Sequence, residues 1–107
     1  MGFFDFLRGS DINQEVKEFQ EMSDAVLLDV RTPQEYQDGH IPGSVNAPLQ
    51  TLGSEDMLPA DRDTPLFVYC HSGARSRQAV GELQRMGYLH VKNIGGISAY
   101  TGKVETV

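Results

Sequence analysis

The sequence contains no tryptophan and a single cysteine, Cys70, among 107 residues. One thiol cannot close a disulfide within the chain, nor can it make up the ligand set of a structural zinc site, and so a reducing compartment, the cytoplasm, is expected. No apolar run approaches the roughly 20 residues that cross a bilayer. Basic residues are scarce as well: nine Lys and Arg stand against fifteen Asp and Glu, for a formal charge of −6. That balance argues against nucleic acid and anionic membranes as partners, since both attract a basic surface. The opening residues Met1-Gly2-Phe3-Phe4-Asp5-Phe6-Leu7 lack the cationic start and apolar length of a signal peptide and carry Asp5 among them. Phe6 stands where a myristoylation signal wants Ser or Thr. Residues 1–10 are therefore read as a short apolar segment whose Phe3, Phe4 and Phe6 pack on the domain or are loosely ordered, with docking as the alternative. Residues 11–107 form one small domain, expected to be a monomer. A chain of this length buries about two-thirds of its unfolded surface, and its Leu, Val, Ile, Phe and Met suffice for a core.

What the chain does contain is an alternation of helical and extended patterns. Ile12, Val16, Phe19 and Met22 recur at near-helical spacing, with Glu15, Lys17, Glu18 and Glu21 opposite, which predicts an amphipathic helix over about 14–22, capped by Asp11 or Asn13. The run Ala25-Val26-Leu27-Leu28-Asp29-Val30 reads as a strand buried on both faces of a parallel sheet. Thr32-Pro33-Gln34-Glu35 is a helix start, with a capping residue, Pro at the first helical position and an acid in the first turn; Gly39 ends that helix. A short extended piece follows at 44–47, then an irregular connection over 49–63. Leu66-Phe67-Val68-Tyr69-Cys70 is a second buried strand. After the turn His71-Ser72-Gly73-Ala74, Ala79, Val80, Leu83 and Met86 share one arc of a helix that Gly87 stops. A third strand is expected at 90–94, close packing or a turn at Gly95-Gly96, and a final helix near 97–103. This order predicts an α/β fold, a mostly parallel sheet with helices on both faces, whose sites lie where strands end and helices begin.

Cys70 occupies such a position. It ends a buried strand, and the turn to the next helix aims several backbone N–H groups into one small volume, an anion cradle. Gly73 allows a positive φ there at no steric cost. The helix dipole and the Arg75 guanidinium add positive potential, which favours thiolate over thiol. Free cysteines are more often inert buried hydrophobes. Here the strand-end position, the glycine turn and Arg75 favour a nucleophile. Residues 70–92 carry four basic residues and one acid, whereas residues 1–69 carry four basic and thirteen acidic. The cysteine thus sits in a positive stretch of an acidic chain.

These residues carry a resemblance. Leu27-Leu28-Asp29-Val30-Arg31, Glu35-Tyr36, Gly39-His40-Ile41-Pro42-Gly43-Ser44-Val45-Asn46, Tyr69-Cys70-His71-Ser72-Gly73-Ala74-Arg75-Ser76 and Gly95-Gly96-Ile97, in that order, resemble the rhodanese homology domain over about residues 11–103. The resemblance implies a rhodanese-like five-stranded, mostly parallel sheet with helices on both faces and a short edge strand near Asp11-Ile12-Asn13. It also implies a thiosulfate sulfurtransferase-like activity in which Cys70 carries sulfane sulfur as a persulfide. The Cys70 thiolate would take sulfur from a small anionic donor such as thiosulfate and pass it to cyanide or a thiol, whether a small molecule's or a protein's, a two-step covalent exchange needing neither metal nor organic cofactor. The persulfide-binding loop would be His71, Ser72, Gly73, Ala74, Arg75 and Ser76, with Arg75, and Arg77 as a further candidate, drawing the sulfonate end of the donor. Asp29 and Arg31 are read as a structural pair rather than a catalytic one. His40 is read as structural, through backbone hydrogen bonding, and His71 has no defined role. The family often has Trp a few residues beyond the paired glycines; Tyr100 stands nearest that place here.

Three other functions compete. Phosphatase or arsenate reductase chemistry on a related fold places Arg six positions after Cys to embrace a tetrahedral oxyanion, whereas position 76 here is Ser76 and Arg75 leaves the shorter loop that the resemblance associates with a single sulfur atom. Many domains of the family that these residues resemble have lost the cysteine and act in docking or regulation, and retention of Cys70, Gly73 and Arg75 counts against a regulatory binding module here. A sulfur relay to a protein partner uses the same fold and nucleophile, so the residues do not separate it from a small-molecule acceptor.

Overall fold

A computed structural model describes residues 11–54 and 56–107; the apolar segment 1–10, with Phe3, Phe4 and Phe6, lies outside the described residues. Helix α1 spans Ile12–Gln20, and its cap is Asp11, whose carboxylate accepts the Asn13 N–H at 3.0 Å. Four strands follow: β1 Val26–Asp29, β2 Ser44–Asn46, β3 Leu66–Cys70 and β4 Val91–Gly96. Helix α2, Pro33–Asp38, connects β1 to β2, and helix α3, Ala74–Arg85, connects β3 to β4. The sheet order is β2-β1-β3-β4 and every pairing is parallel. Asp29 of β1 therefore lies beside Tyr69 of β3, and the turns after both central strands leave the sheet at the same edge.

The continuous apolar runs exist because both faces are covered. Strand β3 is buried at all five positions, and its side chains alternate between two cores. Leu28, Val30, Leu66, Val68 and Cys70 meet Ala79 and Leu83 of α3 on one face. Leu27, Phe67, Tyr69 and Ile94 meet Ile12 and Val16 of α1 on the other. Phe19 closes that side edge-on to Phe67, with ring centroids 5.9 Å apart. Each such Leu, Ile or Phe contributes about 1.5–3 kcal/mol by leaving water. Among the described residues no helix is long and apolar enough to cross a membrane.

The structure differs from expectation at three places. The sheet has four strands, not five, among the described residues: Asp11-Ile12-Asn13, the anticipated edge strand, is the cap and first turn of α1, because Ile12 and Val16 at i, i+4 bury on one helical face. Beyond β4 only a 3₁₀ turn forms, Ile97–Ala99. The Asn13 side chain takes both the Ala99 carbonyl, at 3.1 Å, and the Thr101 N–H, at 2.8 Å, so these groups are not left for a further helical turn. Gly95 and Gly96 belong to β4 itself. The register slips between Val68 and Tyr69, so that Tyr69 faces Gly95, whose φ of +103° is the left-handed conformation of a bulge.

Gly96 shows why the pair is glycine. A Cβ there would lie 2.1 Å from the His71 carbonyl oxygen and 2.5 Å from Ser72 Cα, so β4 and the loop after Cys70 pack backbone on backbone. Gly96→Ala is expected to lower stability by about 1–3 kcal/mol through overpacking, read as a lower urea midpoint, while Gly53→Ala, where nothing stands within 4 Å, leaves it unchanged. Equal midpoints for the Gly96 variant and the native protein would refute this packing.

Candidate active site

Cys70 ends β3, only 1% exposed, and the chain turns at once into α3. Gly73 makes the turn with φ +107°, a left-handed conformation that a Cβ would strain. It is also the N-cap of α3, and no side chain caps that end. The Ser76 N–H, at the third helical position that a capping Ser or Asp would serve elsewhere, bonds the sulfur instead. Gly73 N–H donates to Cys70 Sγ at 3.0 Å, and the Ser76 hydroxyl lies 3.4 Å from the same atom.

These contacts set the state of the thiol. Burial works against ionisation, but the Ser76 hydroxyl and the backbone N–H groups of Ser76, Gly73 and Ser72 outweigh it, and the Cys70 pKa falls below its ordinary value. Ser76 is itself fully buried, and its oxygen also approaches Asn93 Oδ1 at 2.8 Å and the Gly73 carbonyl at 3.1 Å. A hydroxyl has one hydrogen, so these acceptors and the sulfur compete for it. Asn93 braces the same turn from β4: its amide donates to the Gly73 carbonyl at 3.2 Å and its Oδ1 accepts the Gly95 N–H at 2.9 Å. Nothing in the local sequence marks Asn93 as part of the site. It lies twenty-three positions from Cys70, and only the β3–β4 pairing, which sets Val68 beside Asn93, brings it to the loop.

Arg75 lies on the first turn of α3 and reaches across to α2. Its Nη1 and Nη2 donate to the two Glu35 oxygens at 2.8 and 3.0 Å, a bidentate pair about one-third exposed. Those bonds hold Arg75 above its ordinary pKa, with the charges of Glu35 and Cys70 adding to the effect. Glu35 in turn is pulled down to about 2, chiefly by Arg75. Its folded value is below its ordinary 4.5, so the stability the pair contributes is present above about 4.5 and is lost as pH falls toward 2. Lys92 is also paired, with Glu15 at 2.9 Å. Two of the four cations of the positive stretch 70–92 therefore meet carboxylates brought by other elements. Arg77 is exposed and makes no ion pair among the described residues, and His71 is exposed with its carbonyl accepting Ser98 N–H at 3.1 Å.

Asp29, Arg31 and His40 frame the neighbouring turn. Arg31 Nε and Nη2 bond both Asp29 oxygens at 2.6–3.1 Å, with both side chains buried, and Nη2 also bonds the Gly39 carbonyl at 2.7 Å. Burial opposes the Arg31 charge and Asp29 more than restores it, holding its pKa above the ordinary value. Asn46 Nδ2 ties the carbonyls of Asp29 and Arg31, each at 3.0 Å. His40 stacks on Tyr36 at 3.8 Å, bonds the Tyr36 carbonyl through Nδ1 at 2.8 Å and pairs antiparallel with Glu105. A groove of about 540 Å³ lies elsewhere, beside Pro65, Leu66, His90 and Val91 where β3 and β4 begin, the opposite end of the sheet from Cys70.

The geometry is that of a single buried sulfur held by a short loop of N–H donors at the carboxyl edge of a parallel sheet. Residues 13–103 match the model of the rhodanese-like domain. The chain belongs to the rhodanese-like family. Similar proteins include the thiosulfate sulfurtransferase PspE of Escherichia coli (strain K12), 42% identical over 72 residues, covering 65% of this chain and 68% of that protein. A sulfurtransferase of Allochromatium vinosum is 40% identical over 82 residues, 75% of each chain. Among solved structures, a rhodanese with anions from E. coli superposes with a TM-score of 0.65 at 31% identity, covering 78% of this chain and 99% of that one. The Alr3790 protein from Anabaena gives 0.79 at 28% identity, over 89% of this chain and 81% of that one. In this rhodanese-like domain the sulfur-bearing turn is positioned by α3, β4 and α2 together.

Removing the Ser76 hydroxyl takes away a donor that favours thiolate, so Ser76→Ala is expected to raise the Cys70 pKa, read as an upward shift in the pH midpoint of iodoacetamide alkylation. An unshifted midpoint would show that the backbone N–H groups act alone.

Proposed function

We propose that this rhodanese-like domain is a sulfurtransferase that moves sulfane sulfur from thiosulfate or a similar anionic donor to cyanide or a thiol through a persulfide on Cys70. The single observation that carries the reading is the Cys70 sulfur, buried at the strand end yet held by Gly73 N–H at 3.0 Å with its pKa lowered. The relatives named as sulfurtransferases support it.

In the first step the Cys70 thiolate attacks the outer sulfur of thiosulfate. A new S–S bond forms, the donor's own S–S bond breaks, and sulfite leaves with the bonding pair. The negative charge stays on the terminal sulfur of the persulfide, where the N–H groups at the uncapped start of α3 receive it. In the second step cyanide or a thiolate attacks that terminal sulfur, and the electrons of the broken bond return to Cys70. No net oxidation of the protein occurs. His71 through Ser76 supply the cradle, Arg75 meets the sulfonate end, and Asp29, Arg31 and His40 hold the adjoining turn. Delivery to a protein thiol is the second reading, and it uses the same persulfide. A cytoplasmic setting is part of the proposal, since a reducing compartment keeps the Cys70 thiol unpaired, and so is a monomer.

Thiosulfate is expected to add one sulfur atom to the native protein by intact mass, and cyanide to release it as thiocyanate, while Cys70→Ala does neither. Absence of the adduct, or equal turnover by the variant, would sink the proposal. Arg75→Ala is expected to raise the thiosulfate KM and the Cys70 pKa, through lost attraction to both anions. Unchanged thiosulfate kinetics would remove Arg75 from donor binding.

A further inference from the structure

The cation nearest in chain to the sulfur cradle is already occupied. Glu35 is the rigid member of its pair with Arg75: it sits at the third position of α2, where its Oε1 accepts the Thr32 N–H and hydroxyl, each at 3.1 Å, while the Thr32 hydroxyl accepts the Glu35 N–H at 3.2 Å. This reciprocal cap holds the carboxylate where it is. Arg75 comes to it from α3 and places two of its five N–H donors on the two oxygens. The pair as a whole has no net charge. A donor anion approaching Cys70 therefore meets a guanidinium whose attraction is opposed by a carboxylate fixed beside it.

We propose that Glu35 is a specificity-determining residue of the Cys70 site, holding Arg75 against small dianions so that a sulfonate-bearing donor binds only in competition with this internal carboxylate. The inference rests on the anionic-donor reading above and deepens it. Its consequence concerns substrate class. With the attraction of Arg75 partly offset, the native site favours a dianion such as thiosulfate less strongly over less charged donors such as the persulfide of a small thiol. With Glu35 uncharged, the balance moves toward the dianion. Two competitors for one guanidinium exclude each other electrostatically even where Arg75 has N–H groups to spare, because the carboxylate and the sulfonate repel at short range.

Glu35→Gln tests this with little structural cost, since Gln serves the same position of a capping box. The decisive measurement is the rate of Cys70 alkylation by iodoacetate, an anion, divided by that by iodoacetamide, which is neutral. The ratio cancels changes in thiolate fraction and nucleophilicity, which a merely structural role of Glu35 would alter equally for both reagents. Glu35→Gln is expected to raise it by about threefold to fivefold, the effect of one partly exposed charge, and to lower the thiosulfate KM by a similar factor with little change in kcat. In an Arg75→Ala background the same substitution is expected to have a smaller effect on the ratio. A ratio that is unchanged or falls in Glu35→Gln overturns the proposal. The alkylation ratio needs no sulfur transfer, so it decides the role of Glu35 even if thiosulfate fails to load Cys70, whereas loading by intact mass tests the sulfurtransferase reading alone.

Discussion

Burial of the Cys70 side chain works against the thiolate, and the hydrogen bonds donated to its sulfur reverse that. The rest of the structure follows from keeping those donors in place. They come from one turn, so the turn must hold a left-handed Gly73 and leave the start of α3 without a side-chain cap. The backbone of that turn must also be supported from below, which Gly96 permits because it has no Cβ to strike His71 and Ser72. Asn93 and Ser76 complete the support from the side. A sulfur that is buried and charged is costly unless its donors are prearranged, and the β3–β4 pairing does that arranging.

The neighbouring turn after β1 is organised by a buried ion pair instead. Asp29 and Arg31 share up to four contacts, and Asn46 of β2 fastens the backbone on either side of Val30. Removing one member of such a pair leaves the other charge uncompensated, at a cost of about 3–5 kcal/mol. Because β1 and β3 are adjacent and parallel, this frame stands beside the sulfur turn. Arg31 also bonds the Gly39 carbonyl at the C-terminal end of α2, and α2 presents Glu35 to Arg75.

Much of the fold was legible from local pattern. The Thr32-Pro33-Gln34-Glu35 start appeared as a complete capping box, the apolar runs 25–30 and 66–70 became the two central strands, and the arc Ala79, Val80, Leu83 packs α3 on the sheet. These features depend on periodicity and capping, which act within one element. The resemblance added a fifth strand at Asp11-Ile12-Asn13, and there the local pattern of helix cap and i, i+4 burial prevailed. The final helix was not legible in the other direction: a side chain eighty-six positions away, Asn13, takes the Ala99 carbonyl.

By itself the sequence determined the setting of Cys70: a lone cysteine at the end of a buried strand, followed by a glycine turn and a helix. Tertiary structure alone decided the charge that surrounds it. The positive stretch 70–92 looks like an anion site when counted along the chain, yet Arg75 is joined by Glu35 and Lys92 by Glu15 once strands pair and helices pack. Charge interacts through space and is screened in salt water over about 8–10 Å, so its balance at a site depends on which elements the fold makes neighbours, not on their order in the chain.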